Sequence, residues 1–121
     1  MRKNVLIEIS KEFAVKIINL CDSLKNCYTI SNQLSRSGTS IGANIHEAQY
    51  AHGKADFIAK LEIALKECSE TEYWLEILYK TGKIDESNFK TLKNDAGTIR
   101  KILIKSCTTA KSSKWKTRQI A

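Results

Sequence analysis

The apolar residues between positions 57 and 78 recur at alternating gaps of four and three, and this spacing constrains the fold more than any other feature. The stripe consists of Phe57, Leu61, Ala64, Cys68, Thr71, Leu75 and Leu78. Because an α-helix turns once in about 3.6 residues, these side chains share one face, and the repeat favours helices packed at shallow crossing angles. The chain contains no proline, the residue that most often interrupts a helix. We therefore predict a helix from about Lys54 to Lys80.

Three further segments show the same spacing. Their stripes are Leu6, Ile9, Phe13, Ile17, Leu20 and Leu24 in the first, Ile30, Leu34, Gly38, Ile41, Ile45 and Ala48 in the second, and Phe89, Leu92, Ala96, Ile99, Leu103 and Ser106 in the fourth. The first predicts a helix from about Val5 to Lys25. Gly82 is suited to the left-handed cap that ends the third helix, and Asp85 to the N-cap of the fourth. Because short connections force consecutive helices to run antiparallel, we predict an all-α, up-down-up-down four-helix bundle.

A chain of 121 residues is the size of one domain. We predict the bundle over residues 1–110 and a basic C-terminal extension over residues 111–121. The four cysteines form no CxxC pair, and with the two histidines they supply no metal-ligand spacing, so we expect free thiols, no metal and no cofactor. No signal peptide and no uncharged apolar run of about 18 residues is evident, so we expect a cytoplasmic location and no membrane contact.

The net charge of +7 is confined to the end of the chain. Of the 20 basic and 13 acidic residues, residues 1–88 hold 11 and 12, whereas residues 89–121 hold nine and one. The candidate nucleic-acid-binding residues are Arg100, Lys101, Lys105, Lys111, Lys114, Trp115, Lys116 and Arg118. Basic side chains neutralise phosphates, and an exposed tryptophan can stack on an unpaired base, so this cluster favours RNA over sequence-specific duplex reading. The alternative is a solvated tail that contacts nothing in particular.

The second helix contains the run SGTSIGANIHEAQ from residue 37 to residue 49, which is rich in residues that disfavour helix. One interpretation is that Gly38 and Gly42 allow a neighbouring helix to approach closely. The other is a polar seam against another helix or subunit, in which Arg36 pairs with an acid of the third helix such as Glu70 or Glu72. Its residues are Arg36, Ser40, Asn44, Glu47, Glu70 and Glu72.

No arrangement of residues indicates an enzyme. The chain has no Glu-x-x-His pair of the di-metal bundle type, no arginine four to six residues before a histidine, and no phosphate-cradling glycine loop. His46 and Glu47 are adjacent on a helix and therefore point in different directions. We expect no catalytic residues.

A combination of short motifs carries a resemblance to a known family. The motifs are Arg36-Ser37, Ser40-Ile41, Asn44 to Ala48, Asp56 to Ile58, Leu61, Ile63 to Leu65, Ser69 to Glu72 and Tyr73 to Leu75. Together they resemble the bacterial four helix bundle protein family, which includes proteins encoded in intervening sequences of 23S rRNA. The resemblance implies a ring-shaped homo-oligomer, with a pentamer favoured, and no established enzymatic activity. A branch similar in fold, the accessory proteins of diversity-generating retroelements, binds nucleic acid and a reverse transcriptase.

Two functional hypotheses follow from the charge and the resemblance. The first is a non-enzymatic oligomer that binds nucleic acid, with structured RNA as the first candidate and DNA as another, through the basic C-terminal surface. The second is an adaptor or scaffold that holds a protein partner such as a polymerase and has no direct role with nucleic acid. Phosphate binding weakens steeply with salt, whereas an apolar helix contact does not, so salt dependence separates the two hypotheses.

Overall fold

The structure is a computed structural model that describes residues 4–112. It contains four helices, α1 (Val5–Ser23), α2 (Tyr28–Ala48), α3 (Lys54–Lys80) and α4 (Glu86–Ser112). Helix α3 has the predicted bounds, and α1 ends two residues earlier than predicted. Of the predicted basic extension, residues 113–121 lie outside the described residues.

The four helices form the predicted bundle. Helix α2 packs on α1 and α3, α3 packs on α4, and α4 closes the arrangement with a much smaller contact on α1. Helices α1 and α3 are diagonal, as are α2 and α4, and the backbones of these diagonal helices do not approach each other closely. Because the connections are short, the odd-numbered helices run in one direction and the even-numbered helices in the other.

Caps mark the ends of the helices, and two of them, Asp85 and Gly82, are the predicted ones. Asp85 accepts a hydrogen bond from the Asn88 N–H at 2.8 Å, and Asn4 accepts one from Ile7 at 3.2 Å. Helix α3 ends in a Schellman motif, in which the Lys83 N–H donates to the Leu78 carbonyl and the Gly82 N–H to the Tyr79 carbonyl. Gly82 has φ of +73°, the left-handed conformation that glycine adopts without a Cβ clash.

The core follows the predicted stripes through most of the bundle. All seven predicted positions of α3 are buried, including the polar Thr71. The prediction for α4 is wrong at its C-terminal end, where Cys107 and Ala110 are buried and Ser106 is only half-buried. Phe89, predicted to lie in the core, is half-buried and stacks on Tyr79 with ring centroids 4.3 Å apart.

The glycines of α2 permit a close approach to α1. A Cβ added to Gly38 would lie 2.8 Å from Ile17 Cγ2, a separation that real Cβ atoms do not adopt. A Cβ added to Gly42 would lie 3.3 Å from the Ser10 carbonyl oxygen. Ser10 is itself buried, and its hydroxyl donates to the Ile7 carbonyl at 3.1 Å. The first interpretation of the glycine-rich run, close helix packing, is therefore confirmed at both glycines.

We expect Gly38→Ala to destabilise the protein, because the added methyl group overlaps the fully buried Ile17 side chain. Overpacking of this kind costs about 1–3 kcal/mol, and the better helix propensity of alanine offsets up to about 1 kcal/mol of that cost. The free energy of unfolding from denaturant titration measures the effect.

Gly97→Ala is the matched control, because Gly97 is also inside a helix and an added Cβ would meet nothing closer than the Arg100 guanidinium at 3.5 Å. It should stabilise the protein by up to about 1 kcal/mol. Equal effects of the two substitutions would contradict the proposed role of the α1–α2 contact.

Candidate nucleic-acid interface

The basic residues of α4 divide between two directions around the helix. Lys93, Arg100 and Lys111 are turned towards α3, where acids match them. Arg100 Nε lies 3.1 Å from Glu72, Lys93 Nζ lies 2.9 Å from Glu76, and Lys111 Nζ lies 3.0 Å from Glu62. Together these pairs form a row of ion pairs along the groove between α3 and α4.

Lys101 and Lys105 are turned away from that row. They are exposed, lie one helical turn apart and form no ion pair within residues 4–112. The acids of α4 do not reach them, since Asp95 pairs with Lys16 of α1 at 2.8 Å and Glu86 pairs with Lys90 at 2.9 Å. The exposed Ile104 lies between the two lysines. We call Lys101, Ile104 and Lys105 the α4 outer patch.

The structure therefore separates the residues that the sequence grouped as one basic cluster. Lys101 and Lys105 are available to an external anion, whereas Arg100 and Lys111 have acidic partners on α3. The candidates Lys114, Trp115, Lys116 and Arg118 lie outside the described residues. Sequence reasoning did not separate the two groups because pairing depends on which acids α3 presents to each face of α4.

The predicted polar seam is split between two grooves. Arg36 pairs with Glu67 at 3.1 Å and also with Glu70, which accepts a hydrogen bond from the Trp74 indole at 2.9 Å. Glu72, the alternative predicted partner, lies on the opposite side of α3 and pairs with Arg100. Of the two predicted partners of Arg36, Glu70 is therefore confirmed and Glu72 is not.

Of the remaining seam residues, Asn44 contacts its own helix and Glu47 contacts α3. The Asn44 side-chain amide donates to the Ser40 carbonyl of its own helix at 2.9 Å, and Glu47 pairs with Lys60 of α3 at 3.0 Å. The buried polar link between α2 and α3 was not predicted: the Thr71 hydroxyl donates to the Ser37 hydroxyl at 2.9 Å. A threonine inside an otherwise apolar stripe was the signal that could have revealed it, because a buried hydroxyl requires a partner.

All four cysteines are free, and burial raises the pKa of Cys68 to about 12, so its thiol stays protonated while donating to the Ala96 carbonyl. Within residues 4–112 no group of three or more His, Cys, Asp and Glu side chains is arranged to hold a metal ion. No helix in the same range is both long and apolar enough to cross a membrane.

Comparison with known proteins finds one matching family model and a similar solved structure. The family model described as 23S rRNA-intervening sequence protein matches residues 2–105. A crystal structure of a protein with unknown function from the S23 ribosomal protein family of Bacteroides thetaiotaomicron is 50% identical, with a TM-score of 0.81. The match covers 85% of this chain and 98% of the other. No curated protein matches the chain.

The pairing of Arg36 with Glu70 predicts a pH dependence of stability. The Arg36 guanidinium, and after it the Trp74 indole, lower the pKa of Glu70 below its ordinary value of 4.5. A carboxyl with a lowered folded-state pKa contributes stability that is present above pH 4.5 and is lost as the pH falls through the lowered pKa. We expect the melting-temperature gap between wild type and Glu70→Gln to be constant near neutral pH and to close in acid.

Arg36→Gln provides the comparison for this acid-linked loss, because it removes the same ion pair from the cationic side. Its gap from wild type should close over the same acid range. A Glu70→Gln gap that persists unchanged below the acid transition would contradict the assigned pair.

Proposed function

The chain belongs to the family of 23S rRNA-intervening sequence proteins, and from this premise we propose that it is a non-enzymatic protein that binds structured RNA through the α4 outer patch. The sequence that follows α4 supplies further positive charge, with Lys114, Lys116 and Arg118 around Trp115. The proposal assigns the phosphate contacts to lysines and leaves base stacking to the tryptophan.

The observation that supports the proposal is that acids neutralise some of the basic side chains of α4 and leave others unpaired. Acids of α3 pair with each of the α4 cations that face them, while Lys101 and Lys105 form no ion pair with any acid of residues 4–112. A surface that served only solubility would gain from mixed charge, and the acids would then be interspersed among these lysines. An uncompensated pair on a rigid helix instead presents charge at a fixed spacing, as backbone recognition requires.

Repetition around a homo-oligomer, which we propose as the assembled form, would raise the affinity of so small a patch. Two lysines give weak binding to phosphates alone. When several copies are held together, the second and later contacts become intramolecular, and the overall avidity exceeds the affinity of one patch.

We expect Lys101→Glu/Lys105→Glu to weaken binding to a fluorescein-labelled RNA hairpin with single-stranded flanks, measured by anisotropy across a salt series. Each lost phosphate contact reduces the slope of log affinity against log salt by roughly 0.7 to 0.9. The double variant should therefore lower affinity most strongly at low salt and reduce the slope by about 1.5.

The control is Lys25→Glu/Lys83→Glu, which makes the same change in net charge at exposed positions in the α1–α2 and α3–α4 connections. It should leave the salt slope close to that of wild type. Equal losses in the two double variants would indicate a nonspecific effect of net charge. Absence of salt-dependent RNA binding by the wild type would overturn the proposal and favour the protein-adaptor hypothesis.

A further inference from the structure

Two of the four cysteines lie at the same end of the bundle, on either side of the connection between α1 and α2. Cys21 is in the last turn of α1, and Cys27 is the residue that precedes α2. Both are half-buried, whereas Cys68 and Cys107 are buried in the core. A small oxidant can therefore reach the sulfur atoms of Cys21 and Cys27 more readily than those of the core cysteines.

Cys21 and Cys27 share a neighbour, Ser31 in the first turn of α2. The Cys21 thiol donates to the Ser31 carbonyl at 3.4 Å, and the Ser31 N–H donates to the Cys27 carbonyl at 2.9 Å. Burial raises the pKa of Cys21, the bond to Ser31 lowers it, and the charges of Asp22 and Cys27 raise it again. Because one cysteine acts electrostatically on the other, their side chains lie close together.

Cys27 occupies a position at which other residues would stabilise the helix better. The residue before a helix is most often Ser, Thr, Asp or Asn, whose side-chain oxygen accepts a hydrogen bond from an N–H of the first turn. The Cys27 side chain forms no such bond. Asn26, with φ of +60°, completes the tight reversal that begins where the Leu24 N–H donates to the Cys21 carbonyl. Since Cys27 precedes α2, its sulfur can move towards Cys21 without unwinding the helix.

We propose that Cys21 and Cys27 form a redox-sensitive pair that closes to a disulfide when the protein meets a low-molecular-weight disulfide such as glutathione disulfide. The Cα atoms of bridged cysteines lie within about 7 Å of each other. The end of one helix and the start of the next, joined by a short connection, suit that separation. The bridge is local, and it leaves the core thiols reduced.

The exchange takes place in two steps. The Cys27 thiolate attacks one sulfur of glutathione disulfide, and the other glutathione leaves as a thiolate. Cys21, after losing its proton to water, then attacks the Cys27 sulfur and releases the second glutathione. The two cysteines lose two electrons and two protons, which reduce glutathione disulfide to two glutathione molecules. Cys27 attacks first because the raised pKa of Cys21 keeps that thiol protonated.

The bridge would tie the last turn of α1 to the start of α2. The connection is exposed at Lys25 and Asn26, and the ends of helices open more easily than their centres. A disulfide across the connection limits this opening, because the first turn of α2 can no longer move away from α1. Oxidation therefore locks one end of the α1–α2 contact.

The test is peptide mapping of the folded full chain after incubation with glutathione disulfide, with the remaining thiols then blocked by iodoacetamide in denaturant. Trypsin cleaves after Lys25, so Cys21 and Cys27 fall in separate peptides. We expect the oxidised protein to yield these two peptides joined by a disulfide, and excess dithiothreitol to separate them. The peptides of Cys68 and Cys107 are the internal control and should carry the blocking group.

Cys21→Ser removes the thiol that completes the bridge, so this variant should retain one glutathione on Cys27 and yield no joined peptides. Circular dichroism checks that it is folded, and Cys21→Ala replaces it if it is not. Hydrogen exchange measures the lock, and the amides of the first turn of α2 should exchange more slowly in oxidised than in reduced wild type.

Four results would each overturn the proposal. They are absence of the joined peptides from wild type, bridges to Cys68 or Cys107 in equal yield, an unmodified Cys27 in the folded Cys21→Ser variant, and unchanged hydrogen exchange on oxidation. The inference goes beyond RNA binding and does not depend on it, because the α4 outer patch contains neither cysteine.

Discussion

The close packing of α2 on α1 is the contact on which the rest of the bundle depends. Gly38 and Gly42 bring the backbone of α2 against Ile17 and Ser10. With α2 held at this distance, Ser37 on its adjacent face meets Thr71 of α3 in the core, where each hydroxyl has a hydrogen-bond partner. A larger separation would remove this contact between the helices and leave each hydroxyl with only a carbonyl of its own helix as a partner. The poor helix formers of α2 are thus explained by what they contact on both sides.

Charge on α3 has a second organising role, because its acids are divided between neighbours on both sides. Glu67 and Glu70 meet Arg36 of α2, while Glu62, Glu72 and Glu76 meet cations of α4. These pairs are partly solvated, so each adds little stability, and the buried apolar face of α4 sets how α4 is rotated relative to α3. That rotation decides which lysines are neutralised and which remain available. The α4 outer patch is therefore a consequence of where α3 places its carboxylates.

The sequence predicts the helices well because their apolar stripes are long and their caps are explicit. The prediction fails near the end of α4 for a geometric reason. A strict alternation of three and four from Phe89 reaches Ser106, but a straight helix advances about 20° per heptad relative to that repeat, so the buried position becomes Cys107. Partner choice was harder to predict. Glu70 and Glu72 are two residues apart and therefore point to opposite sides of α3, as a helical wheel shows from the sequence alone. Only the packing of the neighbouring helices shows which of these sides faces Arg36.

The contact between Gly38 and Ile17 also links two positions in evolutionary terms. A side chain at position 38 fits only if position 17 becomes smaller, because the space between the two backbones holds one residue's atoms and not both. Each substitution on its own is harmful, either through overlap or through a cavity, while the exchange of a large residue from one helix to the other conserves volume. The two positions should therefore change together among relatives of this chain, and that covariation would record which helix supplies the side chain at the α1–α2 contact.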